Sequence, residues 1–219
     1  TVGNGTPVSN NNSLSFDNSS EYIDFGDYMF FDGASKFTFS SWIKFKQFTA
    51  DNMIIQNGQK SPWNQFMLWG DLNGIYSGRN NTISASVSLN SGSGTLYRIE
   101  GENNLINDTN WHYITLTYDG SISNHLQLYF DGVLDTNSAV ATGNVPQLIS
   151  SDSSMYISGG QYSNNSDSKN IFKQPQIWGK VLSQSEIQNY MSCPPTGNES
   201  GLVGYWNFNE GSGNTVTDL

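Results

Sequence analysis

The fold is decided by the stretch FTFSSWIKF, residues Phe37–Phe45. Successive side chains of a β-strand point to opposite faces of the sheet, so every second residue shares a face. One face of this stretch consists of Phe37, Phe39, Ser41, Ile43 and Phe45. The other face consists of Thr38, Ser40, Trp42 and Lys44. The alternation predicts a strand whose first face lies in a hydrophobic core.

The same alternation recurs in short stretches along the chain, which are separated by clusters of Asn, Gly, Ser and Asp. These clusters are typical of turns, and the stretches between them are typical of antiparallel strands. The predicted strands are residues 14–16, 22–25, 37–45, 53–56, 65–68, 74–76, 83–89, 111–118, 126–130, 155–158, 174–178 and 202–208. We expect the first two strands to form a hairpin around Asp17–Ser20. We also expect tight turns at Asp119-Gly120 and Asp131-Gly132.

A segment near the C-terminus predicts a helix. Ser183 and Glu186 have the spacing of a capping box, in which each side chain accepts a hydrogen bond from the other residue's backbone N–H. Ile187, Tyr190 and Met191 follow at helical spacing, and Pro194-Pro195 ends the helix. The residues therefore predict an all-β chain, a two-sheet antiparallel β-sandwich with one short C-terminal helix.

Composition limits the partners. The formal net charge is −10, and no cluster of Lys and Arg is present, which excludes nucleic acid as a partner. The chain has no apolar run of the length needed for membrane insertion. Its polar but weakly charged composition favours a secreted or cell-surface protein, and the lack of a signal peptide suggests a mature or excised part of a longer polypeptide. A single cysteine, Cys193, excludes an internal disulfide and a multi-cysteine zinc site.

A family resemblance rests on the content and order of several segments. They are the opening strands at 14–25, the strand 37–43, the paired strands 111–120 and 128–132, and the strand-to-helix run 174–187. Together they resemble the laminin-G-like and pentraxin-like jelly rolls of the concanavalin-A-like lectin/glucanase superfamily. The resemblance implies a jelly-roll domain over residues 1–195. Residues 196–219 are either a linker and closing strand of the same sandwich or the first strand of a following module.

The superfamily also contains glycoside hydrolases and polysaccharide lyases. The hydrolase branch carries an E-x-D-x-x-E strand, which this chain lacks, and its nearest pair, Glu100 and Glu102, is predicted to lie in a loop. The lyase branch uses Arg, His and Tyr around a uronate. His112 and His125 match no such pattern and are expected to be surface or hydrogen-bonded residues. We therefore expect no catalytic residues and no enzyme activity.

Calcium is an expected cofactor on the strength of the resemblance. The pentraxin branch holds calcium between an Asp-Asn loop and an acidic loop, and the corresponding regions here are residues 61–64 and 161–167. Calcium binds six to eight oxygen ligands, and the candidate ligands are Asn64, Asp71 and Asp167. Both regions depart from the family pattern, because the acidic loop keeps a single carboxylate, Asp167. The alternative is that these segments are solvated turns.

Carbohydrate binding needs an exposed aromatic ring beside hydrogen-bonding side chains. Trp63 and Tyr162 lie in predicted loops and are the candidate rings, with Asn64 and Gln161 beside them. The tryptophans on predicted strands are expected in the core; they are Trp42, Trp178 and Trp206.

The leading hypothesis is an extracellular, non-catalytic recognition module that binds polysaccharide or glycoconjugate at a loop rim, assisted by calcium. The alternative is an adhesion or structural domain of a large surface or viral protein, with protein partners. A glycan lyase or hydrolase is the third hypothesis. An exposed aromatic groove favours the first and a flat apolar patch the second.

Overall fold

The computed structural model describes residues 12–17, 21–47, 52–57, 66–71, 78–88, 96–141, 147–150, 154–158, 169–210 and 213–219. Its strands are β1 Leu14–Ser15, β2 Tyr22–Asp27, β3 Lys36–Phe45, β4 Asn52–Asn57, β5 Phe66–Asp71, β6 Thr82–Ser88, β7 Leu96–Glu100, β8 Trp111–Asp119, β9 Leu126–Phe130, β10 Val133–Leu134, β11 Ala139–Ala141, β12 Ser154–Ser158, β13 Asn170–Trp178 and β14 Leu202–Tyr205. The helix α1 spans Gln184–Ser192, and a short 3-10 helix spans Met29–Phe31.

The strands form two antiparallel sheets. The first sheet has the order β1-β13-β3-β8-β9-β10, and β14 also pairs with β13. The second sheet has the order β11-β7-β6-β5-β4-β12-β2. The two sheets enclose one large apolar cluster to which both contribute. This arrangement confirms the predicted two-sheet antiparallel sandwich with one short helix near the C-terminus.

Strand β3 lies near the middle of the first sheet and is buried on both faces. It pairs with β8 from Lys36 to Lys44, and its other edge pairs with β13. The predicted inner face is confirmed, because Phe37, Phe39, Ser41, Ile43 and Phe45 are all fully buried. The outer face also carries buried residues, Thr38 and Ser40, so something must cover it.

Helix α1 provides that cover. Its buried residue Ile187 joins a second apolar cluster on the outside of the first sheet; the other buried members are Tyr113, Tyr129, Trp178 and Leu182. The Thr38 hydroxyl fixes the approach to the helix, since it donates to the Lys180 carbonyl at 2.8 Å and accepts from the Leu182 N–H at 3.0 Å.

The predicted capping box at the start of α1 is confirmed. The Glu186 N–H donates to the Ser183 Oγ at 3.3 Å, and the Ser183 N–H donates to the Glu186 carboxylate at 2.8 Å. The predicted turn at Asp131-Gly132 is also confirmed, because both residues have positive φ, as a two-residue type I′ hairpin requires. The Asp119-Gly120 pair instead begins a longer connection, which the Asp119 N–H closes by donating to the His125 carbonyl.

The predicted opening hairpin is wrong. Strand β1 pairs with β13 in the first sheet, whereas β2 pairs with β12 in the second. Phe16 and Ile23 thus approach the core from opposite sheets, and both are buried in it. Alternation specifies which face of a strand is apolar, but it does not specify which strand pairs with which.

The loop predicted around Glu100 is also wrong, because Leu96–Glu100 forms β7, with Tyr97 and Ile99 buried in the core. The Gly and Asn residues that suggested a loop begin only at Gly101. The predicted last strand is shorter than expected and ends at Tyr205. A predicted strand at 74–76 falls outside the described residues.

The C-terminal segment returns to the sandwich after β14. Trp206 and Phe208 are buried in the main core, and Trp206 packs on Phe25 with ring centroids 4.6 Å apart. The Tyr205 N–H donates to the Asp218 carboxylate at 2.7 Å. Trp178 is fully buried as predicted, and Trp42 is half-buried against Tyr113.

We expect Phe39→Ala to lower the free energy of unfolding by about 3–5 kcal/mol, because it leaves a cavity at the centre of the core. The matched substitution Lys44→Ala, on the other face of the same strand, should change it by less than about 0.5 kcal/mol. Urea denaturation followed by tryptophan fluorescence measures both. Equal losses for the two variants would contradict the assignment of faces on β3.

Candidate functional site

Most of the sequence-predicted site residues lie outside the described part of the chain. They are Trp63, Asn64, Gln161, Tyr162 and Asp167. Asp71 is described: it is the last residue of β5, pairs in register with Thr82 and is fully buried. The predicted calcium ligands and the predicted aromatic rings for carbohydrate therefore remain predictions.

The described strand ends show where the two predicted loops are anchored. The segment that holds Asn64 connects Asn57 to Phe66, at the opposite end of β5 from Asp71. The segment that holds Asp167 begins after Ser158 and ends before Lys169, whose N–H donates to the Asn52 side chain at 2.9 Å. Asn52 pairs with Gly70, the neighbour of Asp71. Ser158 and Lys169, the two ends of the segment that holds Asp167, therefore lie toward the Asp71 end of the second sheet.

The side chains of Glu100 and Glu102 have different surroundings. The Glu100 carboxylate lies 3.8 Å from the Arg98 guanidinium on the outer face of β7. The same guanidinium sits 5.6 Å from the ring centroid of Trp69. Glu102 follows in an exposed turn, where its N–H donates to the Asp135 carboxylate. Glu100 is thus occupied by an ion pair that the sequence did not predict.

Both histidines have hydrogen-bond partners, as expected. His112 contacts the Asp131 carboxylate at 2.9 Å and the Asp108 carboxylate at 3.0 Å, and its ring packs on Phe130. The bond to Asp131, followed by that to Asp108, raises the pKa of His112. His125 is buried, with its Nδ1 3.0 Å from the Asp119 carbonyl oxygen.

A cleft opens at one edge of the sandwich, between the edge strands β1 and β2 and the C-terminal segment 208–216. We call it the edge cleft, and its volume is about 840 Å³. Its apolar lining consists of Leu14, Phe16, Ile23, Phe25, Phe208 and Val216. Its polar and aromatic lining consists of Asn12, Ser13, Tyr22, Asp24, Glu210, Asn214 and Thr215. The strands β1 and β2 belong to different sheets, and among the described residues the C-terminal segment lines the cleft between them.

Tyr22 is the exposed aromatic residue of the edge cleft. Its exposed fraction is 48%, the largest of any described aromatic side chain. Ile23 points into the core, so Tyr22 points outward from β2, where it meets Tyr156 of the neighbouring β12 edge-to-face at 5.5 Å. This contact holds the Tyr22 ring in place while much of its surface remains in solvent.

Hydrogen-bonding groups surround Tyr22 and are themselves held in position. The Asp24 carboxylate accepts from the Gly26 N–H at 2.8 Å. The Glu210 carboxylate accepts from the Thr217 N–H at 2.6 Å, and backbone N–H groups of Glu210 and Thr217 lower the pKa of its carboxyl. The Asn12 amide donates to the Asn209 side chain at 2.7 Å. The edge cleft can therefore offer one aromatic surface with carboxylate and amide groups beside it.

Sequence reasoning missed the edge cleft for a definite reason. It placed Tyr22 in a hairpin with residues 14–16, and it searched for aromatic rings in loops. The available signal was the alternation of Tyr22 and Asp24 with Ile23 and Phe25, which puts the tyrosine and the aspartate on a shared outer face. No local sequence pattern indicated that residues near the C-terminus would line the same cleft as β2.

Comparison with known proteins identifies the relatives of this fold. Residues 17–188 match a laminin G-type family model that is described as the concanavalin A-like lectin/glucanases superfamily. Comparison with curated proteins gives no match. Within the described residues, no helix has the length and apolarity needed to cross a lipid bilayer.

Three solved structures illustrate the structural similarity. A proposed carbohydrate binding protein from Bacteroides ovatus aligns with a TM-score of 0.65 at 15% identity over 93% of this chain and 54% of its own, so this chain spans about half of its length. The heptameric pentraxin of Limulus polyphemus aligns with a TM-score of 0.56 at 14% identity, and the alignment covers 100% of this chain and 88% of the pentraxin chain. Botulinum neurotoxin type C, whose cell entry depends on two ganglioside molecules, aligns with a TM-score of 0.57 at 15% identity. The alignment covers 85% of this chain and 43% of the toxin chain.

The raised pKa of His112 predicts a pH dependence of stability. A proton bound more tightly in the folded state stabilises it below the ordinary pKa of 6.5, and that stabilisation is lost as the pH rises through the raised value. The melting temperature of the native protein should therefore exceed that of His112→Gln by more at about pH 5.5 than at about pH 8.5. Thermal denaturation followed by circular dichroism measures the difference. A difference independent of pH would contradict the carboxylate pairing of His112.

Proposed function

Since the chain belongs to the concanavalin A-like lectin/glucanases superfamily, we propose that it is a non-catalytic recognition module that binds carbohydrate in the edge cleft. The observation that carries the proposal is Tyr22, a half-exposed ring that borders a cleft and is held by Tyr156. A sugar ring has an apolar face of C–H groups, which packs on an aromatic ring, and a periphery of hydroxyls.

The rest of the lining suits such a ligand. Hydroxyls of a saccharide donate hydrogen bonds to carboxylates, and they both donate hydrogen bonds to amides and accept them from amides. The lining provides both kinds of group, the carboxylates of Asp24 and Glu210 and the amides of Asn12 and Asn214. Ligand pockets commonly measure about 300–1,000 Å³, a range that includes the edge cleft. The cleft thus combines suitable size, an aromatic surface and several directional polar groups.

Glu100 and Glu102, the nearest match to the hydrolase pattern, give no support to a catalytic role. Retaining glycosidases need two carboxylates about 5–5.5 Å apart across the scissile bond. Glu100 is engaged with Arg98, and Glu102 lies in an exposed turn. The structures of the Bacteroides ovatus protein and of botulinum neurotoxin type C lend support only as similar folds, because a fold does not determine a function.

The adhesion hypothesis receives less support from the described surface. A protein-docking face usually presents a contiguous apolar patch. The exposed large apolar side chains of the described residues come from four separate segments; they are Tyr22, Ile122, Val133 and Leu219. We retain carbohydrate as the proposed partner and the cell exterior as the proposed location.

A calcium site at the Asp71 end of the second sheet is the second part of the proposal. The segment that holds Asp167 is anchored at that end by Ser158 and Lys169, and Asp71 is buried there. Asn64 stays a sequence prediction outside this site, because its segment is anchored at the opposite end of β5 from Asp71. The segment after Ser158 also contains Gln161 and Tyr162, which remain the proposed second contact area for a glycan. Trp63 remains a proposed contact in the segment anchored at the other end of β5.

The first prediction of this proposal concerns Tyr22. On a glycan array followed by calorimetry with the best-binding glycan, Tyr22→Ala should weaken binding roughly tenfold or more, on the order of 1.4 kcal/mol. Tyr22→Phe should retain most of the affinity, because it keeps the ring. Val133→Ala, an exposed change outside the cleft, is the control. Unchanged binding by Tyr22→Ala, with loss in Trp63→Ala, would move the site to the rim and overturn the edge cleft.

The second prediction concerns calcium. A ligand that binds only the folded state at 100-fold excess over its Kd stabilises it by about 2.7 kcal/mol. Calcium should therefore raise the melting temperature of the native protein relative to the protein in chelator. Asp167→Asn should abolish that rise, whereas Asp27→Asn, an exposed carboxylate on β2, should retain it. An equal rise in both variants would contradict the proposed ligand Asp167.

A further inference from the structure

The charged side chains of the edge cleft share one sign. Among its described lining residues, the ionisable side chains near neutral pH are Asp24 and Glu210, and none is lysine, arginine or histidine. Asp24 projects from the outer face of β2, and Glu210 follows the buried Phe208 on the C-terminal segment. The two carboxylates therefore come from different parts of the chain and are brought to one cleft by the tertiary structure.

The carboxylates are positioned for ligand contact. Asp24 is exposed, and its Oδ1 accepts a hydrogen bond from the Gly26 N–H. Glu210 is exposed as well, and its Oε1 accepts from the Thr217 N–H. A carboxylate has about four acceptor positions, so these hydrogen bonds leave acceptor capacity on both side chains.

Lys46 is a basic residue in contact with the lining residue Phe16, and it pairs with a carboxylate outside the lining. The Lys46 ammonium pairs with the Asp17 carboxylate and also donates to the Ser15 hydroxyl and the Phe16 carbonyl. These three acceptors account for its three N–H groups. Lys46 thus forms its ion pair with Asp17, and its hydrogen bonds do not reach the carboxylates of Asp24 and Glu210.

We propose that the edge cleft selects uncharged saccharides and rejects saccharides that carry carboxylate or sulfate groups, with Asp24 and Glu210 as the residues that discriminate. The proposal deepens the proposed function and rests on it. A hydroxyl that donates to a carboxylate makes a charge-assisted bond, which is shorter and roughly twice as strong as a neutral one. An anionic ligand instead meets two like charges in the cleft and a protein of net charge −10.

The test is a glycan array that carries neutral galactose- and glucose-based oligosaccharides beside their sialylated, uronate-bearing and sulfated counterparts. The native protein should bind neutral members at least tenfold more tightly than their charged counterparts at low salt. The preference should shrink as salt is added, because ions screen the repulsion between exposed charges. The double variant Asp24→Asn/Glu210→Gln keeps the shape and the backbone hydrogen bonds, and it should reduce the preference at least fivefold.

The control is the double variant Asp27→Asn/Glu102→Gln. It makes the same change of net charge at two exposed carboxylates that do not line the edge cleft, and it should retain the native preference. Equal effects of the two double variants would show that net charge alone discriminates, and this would overturn the assignment to Asp24 and Glu210.

Two further outcomes separate this inference from the function on which it rests. Charged glycans that bind as tightly as neutral ones, with both lost in Tyr22→Ala, would overturn the charge selection and leave the edge cleft as the binding site. Absence of binding to any glycan, or binding unaffected by Tyr22→Ala, would overturn both.

Discussion

The structure depends on the burial of both faces of β3. This strand pairs along its length with β8 and β13, so its backbone hydrogen bonds are satisfied within the first sheet. Its inner face packs against the second sheet, and that requirement accounts for the sandwich. Its outer face carries Thr38 and Ser40, which are buried as well, so a further layer is needed. Helix α1 is that layer, and its position is set by Thr38 contacts to the segment that leads into it.

The same sandwich has an edge that its two sheets cannot close by themselves. Strand β1 ends one sheet and β2 ends the other, and the two strands do not pair with each other in a backbone ladder. The C-terminal segment fills the opening with Trp206 and Phe208, which reach the main core. Beside Phe208 the edge cleft remains, lined by both apolar and polar residues. The candidate site is therefore a consequence of how this sandwich is closed.

Family membership and site chemistry contribute differently to the functional conclusion. The family model and the solved structures establish the jelly-roll fold, which supports unrelated functions in different proteins. The proposal of carbohydrate binding rests on an exposed ring fixed by a second ring, together with carboxylates and amides that surround it. The proposed preference for uncharged saccharides rests on the acidic character of that lining, which a shared fold does not imply.

Much of the fold was predictable from sequence because it depends on local patterns. The alternation in Phe37–Phe45 predicted the buried inner face, and the spacing of Ser183 and Glu186 predicted the start of α1. The Asp131-Gly132 pair predicted a two-residue turn, because few other residues adopt positive φ at both positions. Each of these features is determined by neighbours within about ten residues along the chain.

Strand pairing and the site were decided by tertiary structure alone. The apolar alternation of 14–16 and 22–25 is equally compatible with a hairpin and with two different sheets, and only the distant strands β13 and β12 distinguish the two. Tyr22 and Asp24 line the same cleft as Glu210 and Asn214 because the C-terminal segment, nearly two hundred residues later in the chain, lies beside β2. The sequence by itself therefore determined the faces of the strands, the helix and the family of the fold. The partners of those strands and the composition of the cleft depend on contacts between remote segments, for which no local pattern exists.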